Sequence, residues 1–93
     1  MINEVLISAR ALKQLEKLPR HIQVKFFTWQ MAVGESGLET VRKIPGFHDE
    51  PLRGKRDGQR SICLNRSYRV IYEIHKNGLA EIVSVEEINR HEY

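Results

Sequence analysis

One cysteine, Cys63, is all that the sequence offers, so an internal disulfide and a cysteine-held zinc are both excluded. A reducing compartment suits such a chain. No stretch approaches the roughly 18 consecutive apolar residues of a membrane span. The opening MINEVLISARALKQ lacks the basic n-region and long apolar run of a signal peptide. The expectation is a cytoplasmic protein with no membrane contact. There is also no Walker loop, no glycine-rich dinucleotide fingerprint and no zinc spacing. No cofactor and no metal are therefore expected. Repeats and low-complexity segments are missing too.

What is present is a small, unevenly charged chain. Its 93 residues are expected to form one domain, 1–93, and such a chain buries roughly 60–65% of its unfolded surface, enough for one modest core. The formal charge is +3, but residues 42–69 hold eight basic and three acidic side chains. That segment is strongly cationic while the remainder is net acidic, which points to an anionic partner. The densest stretch, LRGKRDGQRSICLNRSYRVIY, carries Arg53, Lys55, Arg56, Arg60, Arg66 and Arg69 against one acid, Asp57. Its second half alternates as paired strands do. Cations fixed on a sheet suit a sugar-phosphate backbone. A solvated sheet face is the plain alternative, and charge count alone does not choose between them.

Glu4 to Ile7 reads as a short strand, with Ser8 as a helix N-cap. Ala9 to Leu18 places Ala11, Leu12, Leu15 and Leu18 at helical spacing, with Arg10, Lys13, Glu16 and Lys17 on the outer, solvated side, and Pro19 ends the run. A second helix, about Arg20 to Val33, has an apolar stripe of Ile22, Phe26, Trp29 and Val33, widened by Phe27 and Met31, with Gly34 as its terminator. Its aromatics suit a core better than a base-stacking platform. Glu35 to Pro51 reads as irregular apart from a short turn of helix near Leu38 to Arg42.

Two apolar alternations then fix a register. Ile62 and Leu64 match Tyr68, Val70, Tyr72 and Ile74 only if the connecting loop is odd, as with Asn65-Arg66-Ser67. Cys63 then lies opposite Arg69. Asn77-Gly78 reads as a two-residue hairpin that pairs Tyr72 with Val83, Val70 with Val85, Ile71 with Ser84 and Arg69 with Glu86. The expected fold class is α+β, an N-terminal strand and two-helix hairpin packed on one face of a small antiparallel sheet. The other face carries Ser61, Cys63, Arg69, Ile71 and Ser84.

That open face is where chemistry is expected. Arg69 there reads either as a salt bridge to Glu86 or as a guanidinium fork for phosphate. Arg53, Lys55, Arg56 and Arg60 form an electrostatic funnel when grouped, although each alone suits a solvated surface. His91 and Tyr93 could move or position protons, with Arg90 beside them, or be a frayed polar tail. Cleavage of RNA needs such parts and no metal, because the 2′-hydroxyl is its own nucleophile. His21, His48 and His75 show no ligand spacing. Cys63 reads as a half-exposed filler, or as a thiolate favoured by Arg69.

These residues resemble the RelE/ParE superfamily of bacterial type II toxins, and most of all its RelE- and HigB-type mRNA interferases. The resemblance rests on SARALKQLEKLPRHIQVKF, PLRGKRDGQRSICLNRSYRVIYEI and VEEINRHEY, which together span nearly the whole chain. It implies a RelE-like fold with a basic sheet face. It also implies metal-independent mRNA cleavage, commonly on the ribosome, through a 2′,3′-cyclic phosphate. A cognate antitoxin, of helix-turn-helix or RelB-like type, is the implied protein partner. Arg69 matches the arginine that stabilises the transition state, within a Y-R-hydrophobic-hydrophobic-Y segment. Arg53, Lys55 and Arg60 fall in the family's basic run; Arg53, Lys55, Arg56, Arg66 and Arg90 are expected to bind RNA, and Arg60 to act in catalysis. His91 and Tyr93 resemble terminal acid–base and stacking residues. Cys63 departs from the pattern, standing where many relatives carry Lys or Arg, and this implies weakened cleavage. The superfamily also holds ParE toxins, which poison gyrase and cleave nothing; a non-catalytic RNA-binding module on the same scaffold is the other alternative.

Overall fold

The computed structural model describes residues 2–88. Strand β1 is Glu4–Ile7, followed by helices α1, Ala9–Glu16, and α2, Arg20–Ser36. A short helix α3, Leu38–Val41, and a 3-10 turn at Pro45–Phe47 lead to β2, Glu50–Pro51. A second 3-10 turn, Gly54–Arg56, precedes β3, Gln59–Cys63. Strands β4, Tyr68–Ile74, and β5, Leu79–Glu87, complete a five-stranded sheet in the order β1-β5-β4-β3-β2. Strands β3, β4 and β5 form the expected three-strand antiparallel meander; β2 adds a fourth antiparallel strand at the end of the segment read as irregular, and β1 joins β5 in parallel.

The helices form for the reasons that their sequences give. The Ser8 hydroxyl accepts from the Ala11 amide, 3.1 Å away, and satisfies a free donor of the first turn of α1. Ile22, Phe26, Trp29 and Val33 are all buried, the stripe of a 3.6-residue period. Phe27 and Met31 do not widen that stripe. They lie on the outer side of α2, 47% and 65% exposed. Nor does α2 stop at Gly34. It runs one more turn to Ser36 and ends at Gly37, whose positive φ of 85° glycine takes without a Cβ penalty and whose amide donates to the Val33 carbonyl at 2.9 Å.

One core lies between the helices and the sheet. Ala11, Leu15, Phe26, Trp29, Leu38 and Val41 meet Ile62, Val70, Tyr72, Ala80, Ile82 and Val85. The Trp29 and Tyr72 rings stand 5.6 Å apart between centroids. The indole N–H of Trp29 has no hydrogen-bond partner among the described residues. A lost hydrogen bond costs about 1–3 kcal/mol, whereas burying an indole of roughly 200 Å² gains about 5 kcal/mol, so burial wins.

The β3–β4 register is the expected one, with Cys63 opposite Arg69 and Ile62 opposite Val70. The β4–β5 hairpin differs. Its loop has three residues, closed by a bond from the His75 amide to the Leu79 carbonyl at 2.9 Å. Gly78, at φ 83°, supplies the left-handed residue of that loop. Tyr72 therefore pairs with Ile82, not Val83, and a bulge at Val83 restores the expected pairs Ile71–Ser84, Val70–Val85 and Arg69–Glu86. Ile82 takes the core place predicted for Val83. The edge of β5 beyond β1 is closed by the start and middle of α1. Ser8 donates its hydroxyl to the Val83 carbonyl at 3.3 Å, and the Gln14 side chain accepts from the Val85 amide at 2.7 Å.

Candidate functional site

The sheet face away from the helices is set by the strand register. Across it run Gln59, Ser61 and Cys63 of β3, Arg69, Ile71 and Glu73 of β4, and Ser84 and Glu86 of β5. Glu50 of β2 stands opposite Ser61 at its edge. The Gly54–Arg56 turn, which leads into β3, sends Arg56 over this face to Glu86 on β5. Ile71 and Ser84 are buried although they face away from the main core.

Glu86 is the hub. It accepts from Arg56 through both guanidinium nitrogens, at 2.9 and 2.7 Å, and from Arg69 at 3.0 Å. The two hydrogen-bonded guanidinium groups, Arg56 first, hold its carboxyl below the usual range against the opposing effect of burial. The same contact raises Arg56. Of the two sequence readings of Arg69, the salt bridge to Glu86 is the one present in the structure. Arg69 stands on the central strand of the open face.

The Glu86 shift has a pH consequence. A carboxyl depressed in the folded state stabilises the fold above its unfolded value, near 4.5, and that stability is lost as pH falls through the folded value. Thermal unfolding followed between pH 7 and pH 3 should show Glu86→Gln losing part of the wild-type acid destabilisation. A variant that follows the wild-type curve at every pH would mean that the guanidinium contacts are not held in solution.

Cys63 lies opposite Arg69, but its thiol is not activated. Burial and the charge of Glu50 push it up, and these outweigh the pull of Arg69. The thiolate alternative is therefore corrected to a protonated, half-buried side chain. Arg60 is also relocated. It pairs across the sheet with Tyr72, on the helix side and not with Arg69. There its Nε donates to Asp49 at 2.7 Å, and the Asp49 carboxylate is fully buried. Tyr72 donates its hydroxyl to the other Asp49 oxygen. Burial opposes the charge on Arg60, yet the Asp49 contact prevails and raises it. Burial and the same aspartate push Tyr72 well up.

Arg53 and Lys55 are exposed beside the turn that carries Arg56, and Arg66 is exposed in the β3–β4 loop. Arg66, Lys25, His48, Glu50 and Cys63 line a cleft of about 560 Å³ at that end of the sheet. Arg90, His91 and Tyr93 lie outside the described residues. A further charged group, missed in sequence, gathers at the opposite end of β4. Glu73, His75 and Glu81 bring their ligand atoms within 4.8 Å of one another. Glu73 lies two residues before His75, but the third member, Glu81, comes from across the hairpin, where it opposes Glu73. His75 Nε2 lies 2.9 Å from Glu81, and the Gln59 amide donates to Glu73 at 2.8 Å. Among the described residues no helix is long and apolar enough to cross a membrane.

No curated protein matches the sequence. In fold, the chain is similar to the archaeal RelE of the RelE–RelB complex from Pyrococcus horikoshii OT3. That match has 25% identity and a TM-score of 0.74, over 97% of this chain and 99% of that one. It is also similar to a chain of the toxin–antitoxin complex RelBE2 from Mycobacterium tuberculosis, at 22% identity and a TM-score of 0.64, over 91% and 96% of the two chains. YafQ from E. coli strain BL21(DE3) matches at 17% identity and a TM-score of 0.69, over 90% and 91%. The sequence itself matches the ParE toxins of type II toxin–antitoxin systems over residues 5–90, and the chain belongs to that family.

Proposed function

We propose that this toxin is an mRNA-cleaving endoribonuclease that acts without a metal ion, on ribosome-bound message, and is held in check by a cognate antitoxin of helix-turn-helix or RelB-like type. The observation that carries the reading is Arg69, fixed by Glu86 on the central strand of a face bordered by Lys55, Arg56 and Arg66. A guanidinium so held can stabilise the charge that builds on a phosphate as it becomes five-coordinate. The 2′-oxygen bonds to phosphorus while the bond to the 5′-oxygen breaks. The 2′-hydroxyl proton passes to a base and the departing oxygen receives one, leaving a 2′,3′-cyclic phosphate and a 5′-hydroxyl. His91 and Tyr93 are proposed for these proton transfers. Arg53, Lys55, Arg56, Arg66 and Arg90 bind the RNA backbone.

The family match favours a second reading, a ParE-like toxin that binds gyrase and cleaves nothing. The neutral Cys63 opposite Arg69 is in keeping with that alternative. Mapping the 5′ ends of cellular mRNA after induction separates them. New ends within coding regions are expected, whereas intact message with inhibited supercoiling would overturn the nuclease reading.

Cys63→Arg sharpens the same test. The new guanidinium would stand opposite Arg69 with Glu50 near enough to balance it. One charge-assisted phosphate contact is worth about 1.5–3 kcal/mol, so cleavage should rise by roughly tenfold to a hundredfold if the contact is made in the transition state alone. Unchanged or lower activity in a folded variant would show that the site does not need a cation there.

A further inference from the structure

Beside Glu86, on the side of the face towards β1 and α1, is a cleft of about 300 Å³ that the basic stretch alone does not account for. Lys55 and Arg56 line it from the Gly54–Arg56 turn, and Arg10 lines it from α1. The fold thus brings together cations separated by more than forty positions in sequence. Ser84 and Gln59 add a hydroxyl and an amide to its walls. Its one acid is Glu86, and that carboxylate is already engaged by Arg56 and Arg69. Arg10 and Lys55 form no ion pair among the described residues.

Two local features are hard to explain by stability. Arg10 is the second residue of α1, whose first turn holds no acid. The partial positive charge of a helix N-terminus repels a cation there, so Arg10 does nothing for the helix that carries it. The bulge at Val83 gives the cleft its wall. Bulges of this kind commonly re-aim strands beside functional sites. A cation placed against the helix dipole, in one cleft with Lys55 and with the Arg56 that Glu86 pairs, is an arrangement that an anion would complete; the Ser84 hydroxyl and Gln59 amide beside it already donate to Glu86 and Glu73.

We propose that this cleft is a phosphate subsite, and that Arg10 is a positioning residue in it, holding an RNA phosphate next to the one served by Arg69. The assignment rests on the RNA-cleaving reading above. It extends the cationic track from the basic stretch onto α1 and gives the bound strand a direction, from the β3 side of the sheet across Glu86 to the helix.

The test is equilibrium binding of a short single-stranded RNA, 2′-O-methylated so that it cannot be cleaved, followed by fluorescence anisotropy over a range of salt. Arg10→Ala should weaken binding about tenfold at low salt, the equivalent of one charge-assisted contact. The slope of log affinity against log salt should flatten by about 0.7, the value for one phosphate contact to a single strand. Arg10→Lys should keep most of both, and Arg10→Glu should lose more than Arg10→Ala. Melting temperatures should stay level or rise in all three, since a cation leaves, or stays at, an unfavourable helix end. If the wild type binds the RNA and Arg10→Ala binds it equally well with the same slope, the subsite is overturned and the RNA reading stands. If the wild type does not bind at any salt, the subsite is overturned, while the RNA-cleaving reading is decided by the 5′-end mapping. A loss of affinity matched by a fall in melting temperature in Arg10→Ala and Arg10→Glu alike would make Arg10 a structural residue and overturn the assignment.

Discussion

Arg69→Ala will lower single-turnover cleavage of ribosome-bound message by about a hundredfold to a thousandfold, the usual loss when one donor to a developing negative charge is removed. Binding of the same RNA will change by less than about threefold, because the outer cations carry most of the ground-state attraction. The fold supports the separation. Arg69 stands on the central strand β4, while Lys55, Arg56 and Arg66 stand in the turn and loop around it. Losing Arg69 leaves Glu86 still held by both nitrogens of Arg56, so the melting temperature will stay within a few degrees. The measurement is cleavage and binding on one preparation, with thermal unfolding as the control. A parallel fall in binding and cleavage would make Arg69 a positioning contact, and the transition-state role would be lost.

The parts of this arrangement that could be read from sequence are those written in local periodicity. The stripe from Ile22 to Val33 gave α2, and matched parity gave Cys63 opposite Arg69; Arg69 opposite Glu86 followed from a two-residue hairpin and holds only because the bulge at Val83 offsets the longer loop. Asn77-Gly78 marked the last hairpin but misled on its loop length, because Gly78 closes a three-residue loop through its left-handed backbone. A signal for the bulge was present. Ala80 and Ile82 are apolar at even positions and Val85 at an odd one, so the buried face must change parity between them. The same parity puts Arg60 with Ile62 on the helix side, but its charge grouped it with the other cations instead. Asp49, the partner that allows a guanidinium there, comes from the irregular segment before β2, where no period exists to read. Arg10 escaped for a similar reason. As the polar side of an amphipathic helix it looked solvated, and only the packing of α1 against the edge of β5 brings it to the cleft.

Asp49→Ala will be the most destabilising single change at a polar residue. Its carboxylate is fully buried and accepts from both Arg60 and Tyr72. Removing it leaves a guanidinium that is only 19% exposed without its counter-charge. Breaking a buried pair from one side costs about 3–5 kcal/mol, a large share of the roughly 5–15 kcal/mol that holds a small domain folded. At about 4–8 °C for each kcal/mol in a chain of this size, the melting temperature should fall by roughly 12 °C or more. Tyr72→Phe removes one donor to the carboxylate and leaves the ion pair, so its cost should be nearer about 1.5–3 kcal/mol. The double change Asp49→Leu with Arg60→Met should be much milder than Asp49→Ala alone, since apolar side chains of similar bulk can replace a buried pair. That comparison also tests Arg60 as a contributor to catalysis. If the folded double variant still cleaves RNA at close to the wild-type rate, Arg60 serves the core and not the reaction. If Asp49→Ala melts where the wild type does, Arg60 reaches water without help, and its place on the helix side no longer argues against a role beside Arg69.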